Sequence, residues 1–286
     1  MTASLAPAAP VRASAFRVSE ILSALSCALD ITEGQPPGHA VRTCLIGMRL
    51  ADRAGVPMED RGALFYALLL KDLGCSSNAA RLSSLFGADD RALKRKHKLT
   101  DWSRPGPSLA YALRNAVPGA SPLSRAFRVA AMAFKERSSG REMVRTRCDR
   151  GADIAATLGF SGATREAIRT LDEHWDGHGM PEGLSGTTIP LLGRIVGLAQ
   201  SVEVFAGSFG VDAAIAVAIE RRGRWFDPAL VDVLESFAGD DGFWAQVLGR
   251  SPERHLADLE PEDQVLVADE GRLDDIARAF ARVIDA

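Results

Sequence analysis

Cysteine is scarce in this chain and follows no pattern. The four present, Cys27, Cys44, Cys75 and Cys148, form no Cys-x-x-Cys pair, which argues against a disulfide framework and against a zinc knuckle. No apolar run is long enough to span a bilayer. The opening residues are rich in Ala and Pro, carry Arg12 and Arg17, and lack the continuous apolar stretch of a secretory signal, so residues 1–16 are read as a disordered lead-in. Neither sign of charge dominates: 34 Lys and Arg against 37 Asp and Glu leave a net −3, which argues against general nucleic-acid binding. Alternating apolar segments bounded by turn dipeptides are missing too, which removes the usual signal for a sheet. These absences predict an all-α protein of a reducing cytoplasm with no membrane contact.

What is present is helical periodicity, in a 286-residue chain long enough to bury a sizeable core. Ile21, Leu22, Leu25, Ala28 and Leu29 recur at helical spacing, as do Leu45, Met48 and Ala51, then Leu64, Ala67 and Leu68. Gly55-Val56-Pro57 separates the second and third of these helices. Residues 82–144 change character. They hold a basic run, Arg91 to Lys98, read as a solvated helix face, and breakers at 103–107 and 117–122. Helices return from Arg145. Gly159 ends one, Leu191–Phe205 reads as a core helix, and Asp227 caps another with Pro228 at its first position. In the tail, Arg272–Asp285 aligns without gaps on Arg17–Asp30. Two amphipathic helices can match by chance; alternatively, the chain reaches the start of a second copy of its own domain.

The densest cluster of reactive side chains is Asp172-Glu173-His174-Trp175-Asp176-Gly177-His178-Gly179-Met180-Pro181. Three acids and two imidazoles ending in Gly and Pro can hold a metal or a phosphate, or simply turn a corner. Asp172–Pro190 as a whole reads as a long loop.

This stretch resembles the signature of the HD-GYP phosphohydrolases, in which paired histidines precede a Glu, a Trp-Asp-Gly and a Gly-Tyr-Pro. Other landmarks follow in the same order. Gly38-His39-Ala40-Val41-Arg42 resembles an opening His-x-x-Arg. Leu68–Gly74 resembles the helix end that carries a His-Asp pair. Arg147-Cys148-Asp149-Arg150-Gly151 stands at a third His-x-x-x-Gly. Ile189–Ile195 resembles the Ile-Pro-x-x-Ala-Arg-Ile helix, and Phe226–Val231 the last common segment. The resemblance implies an all-α HD-type helical bundle over residues 17–238, with an inserted helical subregion at 82–144. Residues 239–286 would form a helical extension leading to a second copy, so that the chain resembles the N-terminal half of a tandem protein. The implied activity is hydrolysis of cyclic di-GMP in bacterial signalling.

The ligand positions depart from that pattern. Lys71 replaces the histidine beside Asp72, Arg147 replaces the third histidine, and Leu171 and Asp172 stand where the histidine pair belongs. Gln200 sits at a late Asp, Cys75 at a lysine, and Met180 at the tyrosine. An ammonium or guanidinium has no lone pair to offer a cation. On that ground the chain reads as a catalytically impaired module that needs no cofactor. Such a module would act by binding a partner, itself or an anionic ligand, with a second HD-GYP domain, a homodimer or a nucleotide as candidate partners. Its site positions would be His39, Lys71, Asp72, Arg147, Asp172, Glu173 and Gln200. In the alternative it is an active phosphohydrolase of the cyclic di-GMP phosphodiesterase type. A smaller centre of His39, Asp72 and Asp172, with Glu173 or Asp176, would then hold Mn, Fe or Mg. A third reading makes it the regulatory half of a tandem protein whose second copy does the chemistry. In each case Lys71 and Arg147 are expected near Asp72 and Asp172, as salt bridges or as a grip on phosphate. His174 and His178 read as surface residues, Trp175 and Met180 as loop anchors. Cys148 reads as either a buried inert thiol or one acidified by Arg147.

Overall fold

The computed structural model describes residues 17–32, 34–75, 99, 141–261 and 270–284. The lead-in, the basic run and nearly all of the inserted subregion lie outside the described residues.

Among the described residues the chain is helical and forms no strand. The helices are α1 Val18–Thr32, α2 His39–Arg53, α3 Met58–Leu70, α4 (residues 141–157), α5 Gly162–Thr170, α6 Leu191–Phe209, α7 Val211–Glu220, α8 Pro228–Glu235, α9 Asp241–Val247 and α10 Glu270–Ile284. Their boundaries have local causes. Gly38 takes φ +85° in the left-handed region, which lets α2 begin at His39. Glu59 and Asp60 lie in the first turn of α3, where acidic groups suit the helix dipole. Ser161 accepts from Thr164 N–H to cap α5, and Asp227 accepts from Ala229 N–H to cap α8 with Pro228 at the first position.

The core forms where α2, α3, α5 and α6 meet, with α1 laid across α2 and α3. Leu68, Leu69, Ile195 and Leu198 are fully buried and Leu192 nearly so, as the periodicity predicted. Because α6 packs against both α2 and α5, a residue on α6 can meet one at the start of α2 although about 160 positions separate them in the chain.

The C-terminal extension is tied in by Glu260. This buried carboxylate accepts from Ser19 Oγ at 2.7 Å and Tyr66 Oη at 2.5 Å, joining α1, α3 and the extension. A second copy beginning at the tail would leave the apolar face of the last helix partly exposed; α10 sends Ile276 and Ala279 into the core, keeps Phe280 half-buried and exposes Leu273. Every third or fourth residue meets the same neighbour, so a helix with one apolar stripe docks wherever that stripe can be covered.

Candidate functional site

The site begins with His39, the first residue of α2 and wholly buried. Its Nδ1 lies against Glu203 Oε2 of α6, while Arg42, one turn along α2, donates from Nε to Glu203 Oε1 at 2.6 Å. With Nδ1 directed at a carboxylate, the other nitrogen, Nε2, carries the outward chemistry. It faces Asp72 Oδ2 at 3.9 Å. Burial opposes ionisation of Glu203, but the attraction of His39 and Arg42 outweighs it and holds the carboxyl below its ordinary range.

Lys71 and Asp72 sit on the turn that ends α3. The Lys71 ammonium is fully buried and donates to Asp72 Oδ2; Cys75 Sγ donates to Oδ1 of the same carboxylate at 3.6 Å. Asp30, near the end of α1, belongs to the same neighbourhood and was not read as a site residue. Its Oδ1 accepts from Ala40 N–H at 3.2 Å, and burial raises its carboxyl to about 7, with Lys71 opposing and Asp72 and Glu203 reinforcing the rise.

The second pair is more open. Arg147 Nη2 contacts Asp172 Oδ2, and each side chain is 24% exposed, so solvent reaches this cation and not Lys71. Cys148 Sγ donates to Asp172 Oδ2 at 3.7 Å, and burial raises its thiol despite Arg147, which makes it the inert thiol of the two readings. Backbone contact brings the two pairs together. An added Cβ on Gly74 would lie 1.9 Å from the Arg147 carbonyl oxygen, so the turn after Asp72 packs directly on α4. Gly74→Ala is therefore expected to cost at least about 2 kcal/mol, seen as a lower urea midpoint at constant m-value. An unchanged midpoint would show that the two segments separate freely.

The loop after α5 is organised by Glu173. Its buried carboxylate accepts from the backbone N–H groups of Glu182, Gly183 and Leu184 at 2.7–3.1 Å, so Glu173 closes the loop instead of facing the His39 cluster. Burial raises its carboxyl against the pull of those donors. His178 is exposed beside Asp176, as expected. His174 is half-buried instead of open to solvent: it stacks on Trp225 with ring centres 4.2 Å apart. Trp175 N–H donates to Trp225 O at 3.1 Å, and the Arg194 guanidinium lies 5.7 Å over the Trp175 ring, which anchors the loop.

The structure therefore unites His39, Lys71 and Asp72, places Arg147 with Asp172, and keeps Glu173 for the loop. Gln200, expected to close the site, is half-buried on α6, and Glu203 takes the contact with His39 instead. They lie three positions apart, a little under one helical turn. The clue was a second acid-compatible position after Gln200 in Leu198-Ala199-Gln200-Ser201-Val202-Glu203. His39 Nε2 and Asp72 Oδ2, 3.9 Å apart, are the imidazole and carboxylate donors that would hold a divalent ion. Among the described residues no third His, Cys, Asp or Glu side chain gathers with them as a metal site.

Residues 132–230 match the family described as HD domain. The 3'3'-cGAMP-specific phosphodiesterase 3 of Vibrio cholerae is 37% identical over 271 residues, covering 95% of this chain and 59% of that protein. A crystal structure of the cyclic GMP-AMP specific phosphodiesterase V-cGAP3 of V. cholerae superposes with a TM-score of 0.75 at 34% identity, covering 95% of this chain and 61% of that one. The chain has the all-α HD fold. Shorter matches reach a V. cholerae cyclic di-GMP phosphodiesterase, 39% identical over 27% of this chain and 17% of that one, and the cyclic di-GMP phosphodiesterase response regulator RpfG of Xanthomonas campestris, 43% identical over 22% of this chain and 18% of that one. This chain spans 59% of the length of its long relative.

These findings correct the sequence reading. The catalytically impaired module rested on cations at ligand positions, and 37% identity across 95% of the chain to a protein named as a phosphodiesterase, with a matching structure, overturns it. That reading judged the site from single substitutions at motif positions, whereas His39 and Asp72 are kept and face each other at 3.9 Å. The expectation of no cofactor falls with it. Among the described residues no helix is long and apolar enough to cross a membrane.

Proposed function

We propose that this chain is part of a metal-dependent phosphodiesterase that opens a cyclic dinucleotide. The carrying observation is the 37% identity across 95% of the chain to a protein named as a 3'3'-cGAMP phosphodiesterase; shorter relatives named for cyclic di-GMP support the same substrate class. His39 Nε2 and Asp72 would hold a divalent ion, with Mn, Fe or Mg as candidates; Asp172, the third ligand of the sequence reading, is held by Arg147. Such an ion supplies Lewis-acid polarisation of the phosphodiester. The chain's own residues do the rest. Glu203 fixes the His39 ring so that Nε2 points at Asp72. Arg147, the solvent-reached cation, is placed to meet a phosphate oxygen in a charge-assisted hydrogen bond. Glu173 holds the loop beside Asp172 in shape.

The test is turnover of 3'3'-cGAMP and of cyclic di-GMP by the natural full-length protein with Mn²⁺, followed by chromatography of the linear product. His39→Ala and Asp72→Ala are each expected to lower kcat by on the order of a hundredfold or more. No turnover of either dinucleotide, or full turnover in both variants, overturns the reading.

A further inference from the structure

We propose that the Lys71 ammonium is an internal substitute for a divalent cation: it holds Asp72 in the metal-free protein and must leave that carboxylate before an ion can bind between Asp72 and His39. This deepens the phosphodiesterase reading by naming how its metal site is controlled, and rests on that reading for the identity of the site.

Three observations carry it. Lys71 Nζ and His39 Nε2 converge on one atom, Asp72 Oδ2. The ammonium therefore competes for the oxygen an ion shared with His39 would need, and as a donor without a lone pair it cannot join the ligand set. Secondly, His39 is held for ligation by Glu203, whose other oxygen is held by Arg42. That scaffold orients an imidazole that a salt bridge between Lys71 and Asp72 alone would not require. Thirdly, a polar atom is left over beside this pair. Asp30 is completely buried, and its Oδ2 makes no hydrogen bond among the described residues. A buried oxygen in that state gains from a further cation in its neighbourhood. The step is a non-covalent exchange in which Lys71 keeps its proton.

Removing the ammonium should open the site to metal. Mn²⁺ titration by calorimetry or electron paramagnetic resonance is expected to show binding tighter by on the order of tenfold or more in Lys71→Met than in the unchanged protein, while Lys71→Arg stays weak. Mn²⁺ should also raise the melting temperature of Lys71→Met more than that of the unchanged protein. Adding His39→Ala to Lys71→Met should abolish both gains. Equal Mn²⁺ affinity in Lys71→Met and the unchanged protein overturns the proposal, as does a gain that survives His39→Ala. Where Lys71→Met fails to fold without metal, recovery in Mn²⁺ supports the proposal, and Lys71→Gln, neutral yet able to hydrogen-bond Asp72, carries the titration. No Mn²⁺ rescue of either variant overturns it. Turnover separates the two ideas: tighter Mn²⁺ binding without hydrolysis of a cyclic dinucleotide leaves Lys71 as the substitute cation and removes the phosphodiesterase reading. Turnover with unaltered Mn²⁺ affinity does the reverse.

Discussion

Replacing Glu203 by alanine is expected to lower the stability of the fold by about 3–5 kcal/mol, because it strands the groups that this carboxylate neutralises. The His39 ring is wholly buried and the Arg42 side chain is only 12% exposed; both lose this carboxylate at once. Glu203→Gln should cost less, since an amide still accepts from Arg42, though it cannot offset the guanidinium charge. Acidity provides a second check. The carboxyl of Glu203 is held below its ordinary value of 4.5 by His39 and Arg42 against the effect of burial. Its contribution is therefore complete above the unfolded value and lost as pH falls through the folded one. The gap in urea midpoint between the unchanged protein and Glu203→Gln should be widest near neutrality and close in acid. A Glu203→Ala protein as stable as its parent would mean that α2 and α6 are not joined through this carboxylate.

The second large effect lies at Asp30 and has the opposite sign. Burial raises its carboxyl from 3.8 to about 7, so the folded state keeps a proton that the unfolded chain has already lost. Stability attributable to this group is full below pH 4, declines as pH rises towards 7, and stays reduced beyond it. A shift of this size corresponds to about 4 kcal/mol at pH 8. Asp30→Asn retains an acceptor for Ala40 N–H and removes the ionisation. In chelator-treated protein, Asp30→Asn should therefore gain stability relative to its parent steadily between pH 4 and 7, measured as thermal midpoints in matched buffers. Parallel pH profiles for the two proteins would remove Asp30 from the buried electrostatic cluster. With Mn²⁺ present the slope of the unchanged protein should flatten, because an added cation favours the ionised carboxylate.

The two effects arise from one cluster, yet the sequence disclosed its members unequally. His39 and Asp72 were found from motif order, and Lys71 from the motif it breaks. Asp30 lay in plain view as the end of the repeated helix segment, with nothing local to distinguish it from a solvated helix-terminal acid. Glu203 carries no motif of its own, because the family pattern points to position 200. On α6 the two differ by about 300° of rotation, and which of them faces α2 is set by how the two helices cross. His174 was read as a surface residue because its neighbours are polar, but Trp225 from the segment before α8 covers it. The sequence left either cation open to either acid; the pairing of Arg147 with Asp172 is set by where α4 meets the loop after α5.

The amino-acid sequence by itself determined the helical class, the helix starts and the buried faces. These depend on interactions within one or two turns: the Asp227 cap with Pro228, the Ser161 cap, the spacing of Leu64, Leu68, Leu192 and Ile195. It also determined that cations would stand at positions where metal ligands were sought. Only the tertiary structure decided what those cations do. Lys71 lies completely out of water on Asp72 Oδ2, the oxygen that faces His39, whereas Arg147 remains within reach of solvent on Asp172. It decided likewise that α10 docks its Ile276 and Ala279 on the core. The physical reason is range. Capping and periodicity are local, while the strength of a charge pair and the availability of a carboxylate depend on burial, and burial is created by segments far apart in the chain.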